Sequence, residues 1–412
     1  MDLKRATQRM ADLGVDALLV SAPKNVTHVT GFSSLLGEMW YEAGLPTTWA
    51  VVPATGENLA MVVAENEVAG ARVSSGIEDV RGYPVWVNLD AVSDADLATL
   101  DVAVALRRSR SGRAVPARKP GFFDPVVILD MLKQTLDARG LLNARVGLDL
   151  DFISQGAFSR LQRAVPDVTF VDASPLLREL RSIKTLQEIA HVRTAVWVAE
   201  QAILAAVAGV SETTRHGDIR LRFQMGALQA VARRGVSGFR AAGASVRIGP
   251  RPWVATPEAL VRPGDQIMFD CGANVQGLQS DIARTFVYAR ASDAQHRIQA
   301  ALVRAHDAAL AAVRPGNRFC DVFRAGLEAM HAAGFDTYCR GHLGHSIGLD
   351  PLEETPVISE TETRVLEPGM VLAVELPWYI DGIGGFQCEN VICVTETGFE
   401  DLNTLTRDLV VI

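Results

Sequence analysis

Gln266-Ile267-Met268-Phe269-Asp270-Cys271-Gly272 is an apolar run carrying one acid, and after Asn274-Val275-Gln276-Gly277 the chain returns as Ser280-Asp281-Ile282-Ala283-Arg284-Thr285-Phe286. Two such runs around an Asn/Gly turn read as a β-hairpin. With the turn centred between Val275 and Gln276, Asp270 and Asp281 face each other with Cβ atoms about 5 Å apart. Two like charges so placed repel unless a cation lies between them.

The device recurs. Met370-Val371-Leu372-Ala373-Val374-Glu375 carries one acid, Asp381-Gly382-Ile383-Gly384-Gly385 is a turn signal, and Cys388-Glu389-Asn390-Val391-Ile392 returns. A hairpin centred on Gly382 sets Glu375 opposite Glu389. One strand-end acid is ordinarily a solvated carboxylate; two acid-bearing hairpins with matching registers point to a shared cation site. Between them stands Gly344-His345-Ser346-Ile347-Gly348, whose glycines permit close backbone approach, in a chain with only 8 histidines. Asp270, Asp281, His345, Glu375 and Glu389 thus offer four carboxylates and one imidazole, with no thiolate. That donor set suits Mn²⁺, Co²⁺, Fe²⁺ or Zn²⁺. Two divalent ions balance the four charges and can activate water for hydrolysis.

The rest of the chain frames this centre. Its 412 residues suggest two or three domains, and 48% hydrophobic with 21% charged residues is a globular composition. A net charge of −8 argues against nucleic acid as a partner. Five cysteines without a C-x-x-C pair argue against a disulfide framework and fit a reducing, cytoplasmic setting. No secretory segment opens the chain, and its most apolar stretch, 195–210, is interrupted by Glu200 and Gln201, too short for a membrane span. The first half alternates helical stretches with short apolar runs at 16–20, 48–53, 59–63, 145–150 and 168–171, an α/β pattern. A long helix opens near Lys184, which puts a domain boundary near 173–184. A second helix over 217–234 leads into a Gly- and Arg-rich loop at 235–252. Further helices at 293–313 and 321–333 separate the two hairpins, an order that hints at internal duplication.

The motifs FDCG (269–272), SDIARTF (280–286), GHSIGL (344–349), VELP (374–377) and CEN (388–390) resemble the pita-bread metallopeptidase family of prolidases, aminopeptidases P, methionine aminopeptidases and creatinases. Gly14-Val15-Asp16-Ala17-Leu18-Leu19, the stretch from Pro23 to Phe32, and Arg181-Ser182-Ile183-Lys184 are similar to the two-domain form. The resemblance implies an α/β creatinase/prolidase-like N-terminal domain over 1–178, followed by an α+β pita-bread catalytic domain over 179–412. It implies a homodimer and two divalent metals, with Asp281 and Glu389 bridging, Asp270 on one ion, and His345 with Glu375 on the other. Glu375 becomes the proton shuttle, and Glu375 and His345 the catalytic pair.

The residues around that core depart from the family pattern. Trp253 and Leu352 stand where prolidases carry histidines, Gly341 stands where a third is usual with His342 one position off, and Gln387 replaces an arginine. Trp253, His342, Arg340 and Glu353 are therefore the substrate-binding candidates. Arg340, Arg247 and Arg251 are candidate carboxylate clamps, and Trp253, Trp378 and Tyr379 a candidate apolar or cation-binding wall. The leading expectation is a metal-dependent hydrolase of a dipeptide or small molecule, Xaa-Pro dipeptidase- or aminopeptidase-like, with an atypical pocket. The alternatives are a non-peptide small-molecule enzyme of the same fold (creatinase-like amidinohydrolase, ectoine-type amide hydrolase or sulfonium lyase) and a non-catalytic binding protein.

Overall fold

The computed structural model describes residues 1–40, 44–87, 89–110, 119–350 and 354–412. The chain divides into two units, Met1–Leu180 and Arg181–Ile412.

The first unit is built on a six-stranded mixed sheet. Strands β1 (Ala17–Val20), β2 (Trp49–Pro53), β3 (Ala60–Ala64), β4 (Asp79–Tyr83), β5 (Arg145–Leu148) and β6 (Thr169–Asp172) lie in the order β4-β3-β2-β1-β5-β6. The run 17–20 contains no polar residue because β1 is central and buried at every position. Helix Leu3–Leu13 leads into it. Asp2 caps its first turn by accepting from the Arg5 N–H, and Gly14, at φ 68, closes its last turn onto Ala11 and Met10. This is the α/β layout that the alternating pattern predicts.

The second unit holds a larger sheet: β7 (Phe239–Ile248), β8 (Gln266–Val275), β9 (Leu278–Gln279), β10 (Ile282–Val287), β11 (Gly344–Ser346), β12 (Glu354–Val357), β13 (Val371–Ile380) and β14 (Gly384–Val394). The main path runs β12-β11-β13-β14-β10-β8-β7, with β9 extending the hairpin of β8. One face is closed by helices. Cys271 and Ile282 pack with helices Leu186–Val207 and His216–Arg234, and Leu376 and Cys388 pack with helices Asp293–Ala311 and Phe319–Ala332. Because strand side chains alternate, the acids next to these residues emerge on the opposite face. Among the described residues, no helix is long and apolar enough to cross a membrane.

Two sequence expectations fail here. Most of the predicted loop 235–252 is β7, a ten-residue strand paired along β8. Its sequence, FRAAGASVRI, shows no hydrophobic alternation because β7 is an end strand that buries little of either face. The first hairpin is also shifted. Val275 pairs with Leu278, so the turn is Gln276-Gly277, with φ values of 55° and 88°. A two-residue hairpin turn of this kind requires positive φ at both central positions, which glycine supplies at the second. Asp270 therefore pairs with Ala283, and Asp281 lies two residues further along on the same side, just before β10. The two acids are diagonal neighbours rather than directly opposed.

Candidate metal centre

The registers place the functional side chains in one row across the sheet. Ser245 pairs with Asp270, Asp270 with Ala283, Ala283 with Glu389, and Glu389 with Glu375. The Glu375–Glu389 pairing is the one expected for a turn centred on Gly382. Ala283 brings only a methyl group to the middle of the row, which leaves space above it between the acids on either side. Asp281 borders that space from the end of β10, and His345 borders it from β11. His345 pairs with Ala373, two residues from Glu375 and on the same face.

Asp281, His345 and Glu389 each offer a ligand atom within 4.8 Å of the others. His345 Nδ1 lies 3.0 Å from the Ser346 carbonyl, which can only accept, so an N–H of the ring sits there and Nε2 is the nitrogen left facing the acids. Nε2 stands 3.8 Å from Asp281 Oδ2, too far for a hydrogen bond and suitable for a shared cation. A backbone carbonyl on the outer ring nitrogen is the usual support for a metal-ligating histidine.

Glu389 is 1% exposed. Burial first, and then the charges of Asp281, Glu375 and Asp270, push its pKa well above the ordinary carboxylate value. Asp270 is also raised by burial, against the opposing pull of Arg247. Crowded carboxylates that resist ionisation gain stability from a bound cation, so the donor set fits divalent metal.

The structure places the remaining candidates around this row. Arg340 Nη2 is 3.1 Å from Glu375 Oε1, and His342 Nδ1 is 3.3 Å from the same oxygen. Arg247 Nη1 is 3.5 Å from Asp270 Oδ2. Trp253 is 69% exposed and packs on Tyr379 at 4.7 Å, with the Arg247 guanidinium 4.5 Å from its ring. Trp378 points the other way, into the core against Phe335 and Tyr338. Glu353 and Leu352 lie outside the described residues.

Sequence reasoning marks Gln387 only as a departure and gives it no role. In the structure its Nε2 donates to both Glu375 Oε2 and Glu389 Oε2 at 3.1 Å, and its Oε1 accepts from Tyr379 Oη at 3.3 Å. The signal was present: residues 387 and 389 share a strand face.

Behind Glu375, the fully buried His306 supports the strand. Its Nε2–H donates to the Val374 carbonyl at 2.9 Å, and its Nδ1 accepts from Arg407 Nη1 at 2.6 Å, a pattern that only the neutral ring can make. Burial, reinforced by the Arg407 charge, lowers its pKa to about 3. A folded pKa below the unfolded value gives stability that is complete above about pH 6.5 and falls as pH drops toward 3. The slope from this one group is at most about 1.4 kcal/mol per pH unit. Urea melts between pH 4 and 7 are expected to show a shallower pH dependence in His306→Gln than in the wild type. Parallel curves would refute this account.

Comparison with known proteins agrees with the geometry. Residues 190–396 match metallopeptidase family M24, and residues 3–183 match the creatinase/prolidase N-terminal domain. The Xaa-Pro dipeptidase of Pyrococcus furiosus is 28% identical over 240 residues, covering 58% of this chain and 68% of that protein. The Xaa-Pro dipeptidase of Lactobacillus helveticus is 29% identical over 272 residues, covering 64% and 72%. The solved Xaa-Pro dipeptidase from Bacillus anthracis shares the fold across 100% of this chain and 99% of that one, with a TM-score of 0.77 at 19% identity. The chain belongs to metallopeptidase family M24, with a creatinase/prolidase-type N-terminal domain ahead of the pita-bread unit, and is a metal-dependent hydrolase.

Proposed function

We propose that the protein is a dinuclear-metal dipeptidase that cleaves the C–N bond of a short peptide substrate of the Xaa-Pro class. In this reading Asp270, Asp281, His345, Glu375 and Glu389 would hold the ions. The observation that carries it is the row from Asp270 to Glu375, flanked by Asp281 and His345 and centred on a buried glutamate that resists ionisation. The similarity to the Xaa-Pro dipeptidases of Pyrococcus furiosus and Lactobacillus helveticus supports the substrate class.

Bound there, two divalent ions would polarise the scissile carbonyl and activate water. The protein's own groups do the rest. Glu375 is the proton carrier, taking a proton on Oε1 and returning it to the leaving nitrogen. Arg340 and His342 converge on that oxygen and orient it. Gln387 ties Glu375 to Glu389 and keeps the two carboxylates in register. Trp253 and Tyr379 pack on each other and on Arg247 and form an apolar wall beside Asp270.

The activity is expected in protein loaded with Mn²⁺ or Co²⁺, assayed on a panel of Xaa-Pro dipeptides beside elemental analysis. Absence of stoichiometric metal, with no response to either ion, would sink the proposal. The reading extends to a homodimer of cytoplasmic location. The five free cysteines fit a reducing compartment, and light scattering of the purified protein is expected to give twice the chain mass.

A further inference from the structure

A cavity of about 420 Å³ opens at the Asp270 end of the carboxylate row. Ser245, the cross-strand partner of Asp270, lies in its wall, so the cavity adjoins the reacting groups. Its chemistry is opposite to theirs. Arg247, Arg220 and His216 line it, with the hydroxyls of Ser245 and Thr256 and the ring of Trp253, and among the described residues none that lines it is acidic.

Two of these groups hold a buried nitrogen with no hydrogen-bond partner among the described residues. Arg247 Nη1 is one; its guanidinium is packed against Trp253 at 4.5 Å and Tyr379 at 5.0 Å, and its Asp270 contact of 3.5 Å is long for a hydrogen bond. His216 Nε2 is the other. Its Nδ1 is engaged with Thr256 Oγ1 at 3.1 Å, and Asp265 approaches Nε2 no closer than 4.0 Å. Buried polar nitrogens are normally satisfied; the Arg247 guanidinium can only donate, so its open nitrogen calls for an acceptor closer than any the described residues provide, and His216 Nε2 offers a further polar contact beside it. Arg220 adds a second cationic group at the exposed rim. The volume falls within the range of small-molecule pockets.

We propose that this cavity binds carboxylate and makes the enzyme selective for substrates with an acidic side chain. One carboxylate pairs with Arg247, and a second reaches the His216 and Arg220 end. The substrate class rests on the dipeptidase reading above, but the cavity's preference for a dicarboxylate does not need turnover to be measured.

The test is calorimetric titration of the metal-loaded full chain with glutarate and with its neutral analogue glutaramide, in wild type, Arg220→Gln and Arg247→Gln. Glutarate is expected to bind at least tenfold more tightly than glutaramide, and each variant to lose about tenfold in glutarate affinity. Arg220 is exposed, so its variant keeps the fold. Equal affinity for the two ligands, or glutarate binding unchanged in Arg220→Gln, would overturn the proposal; the latter is what attachment through the metals alone would give. In turnover, glutamyl-proline is expected to be preferred over glutaminyl-proline by a similar factor. Failure to cleave either dipeptide counts against the dipeptidase reading, while the titration still decides the cavity.

Discussion

Asp281→Ala is expected to leave the purified protein without stoichiometric divalent metal and to lower hydrolysis on the order of a thousandfold, about 4 kcal/mol of transition-state stabilisation. Asp281 suits this test better than its neighbours. It precedes β10 rather than lying within it, and its side chain is 36% exposed, so truncation opens no core cavity. Glu389 sits at the centre of the sheet, where a substitution confounds metal loss with misfolding. Removing the Asp281 charge also relieves one of the repulsions acting on Glu389. The metal-free variant should therefore melt no lower than metal-free wild type. Metal at a hundredfold excess over its dissociation constant stabilises a folded protein by about 2.7 kcal/mol. That increment should appear in the wild type and vanish in Asp281→Ala. Retained metal and turnover in the variant would show the ligand assignment to be wrong.

Gly344→Ala should be nearly as damaging without touching a ligand. Gly344 has φ +130, which side chains rarely adopt, and a Cβ there would fall 2.1 Å from the Ala373 carbonyl oxygen. Strain and backbone collision both oppose the substitution. The expected cost exceeds about 3 kcal/mol by denaturant melting. Relief requires β11 to move away from β13, carrying His345 with it, so metal affinity should fall together with stability. Gly341→Ala is the control, since a Cβ at that position meets nothing within 4 Å. A Gly344→Ala protein with wild-type stability and metal affinity would disprove the close packing of β11 on β13.

The proposed ligand residues were legible because each hairpin carries its acids in otherwise apolar runs, a local departure that alternation alone can expose. Where a turn is specified by its own residues, as around Gly382, counting outward gives the right partner, and Glu375 meets Glu389. Around Gln276-Gly277 the same counting fails by one position, because a non-glycine residue, Gln276, takes positive φ and the sequence does not announce it. The error shifts Asp281 along the strand but keeps it on the same face, since a hairpin turn moved by one position changes the pairing by two residues and side chains repeat every two. Strand β7 was missed for a different reason: an end strand with little burial on either face has no hydrophobic pattern to read.

The sequence by itself determined the family, the two-domain order and the choice of five candidate donor residues, because each depends on short motifs whose residues act together locally. The tertiary structure alone decided how those donors converge. Two hairpins distant in the chain lie side by side through the pairing of β10 with β14, so that Asp270, Ala283, Glu389 and Glu375 form one row. It also decided what surrounds them: Gln387 bridging two glutamates, Arg340 and His342 meeting on Glu375, and an acid-free cavity beside Asp270. Backbone pairing across a sheet is set by packing against the helices on its other face, and no single segment carries that information.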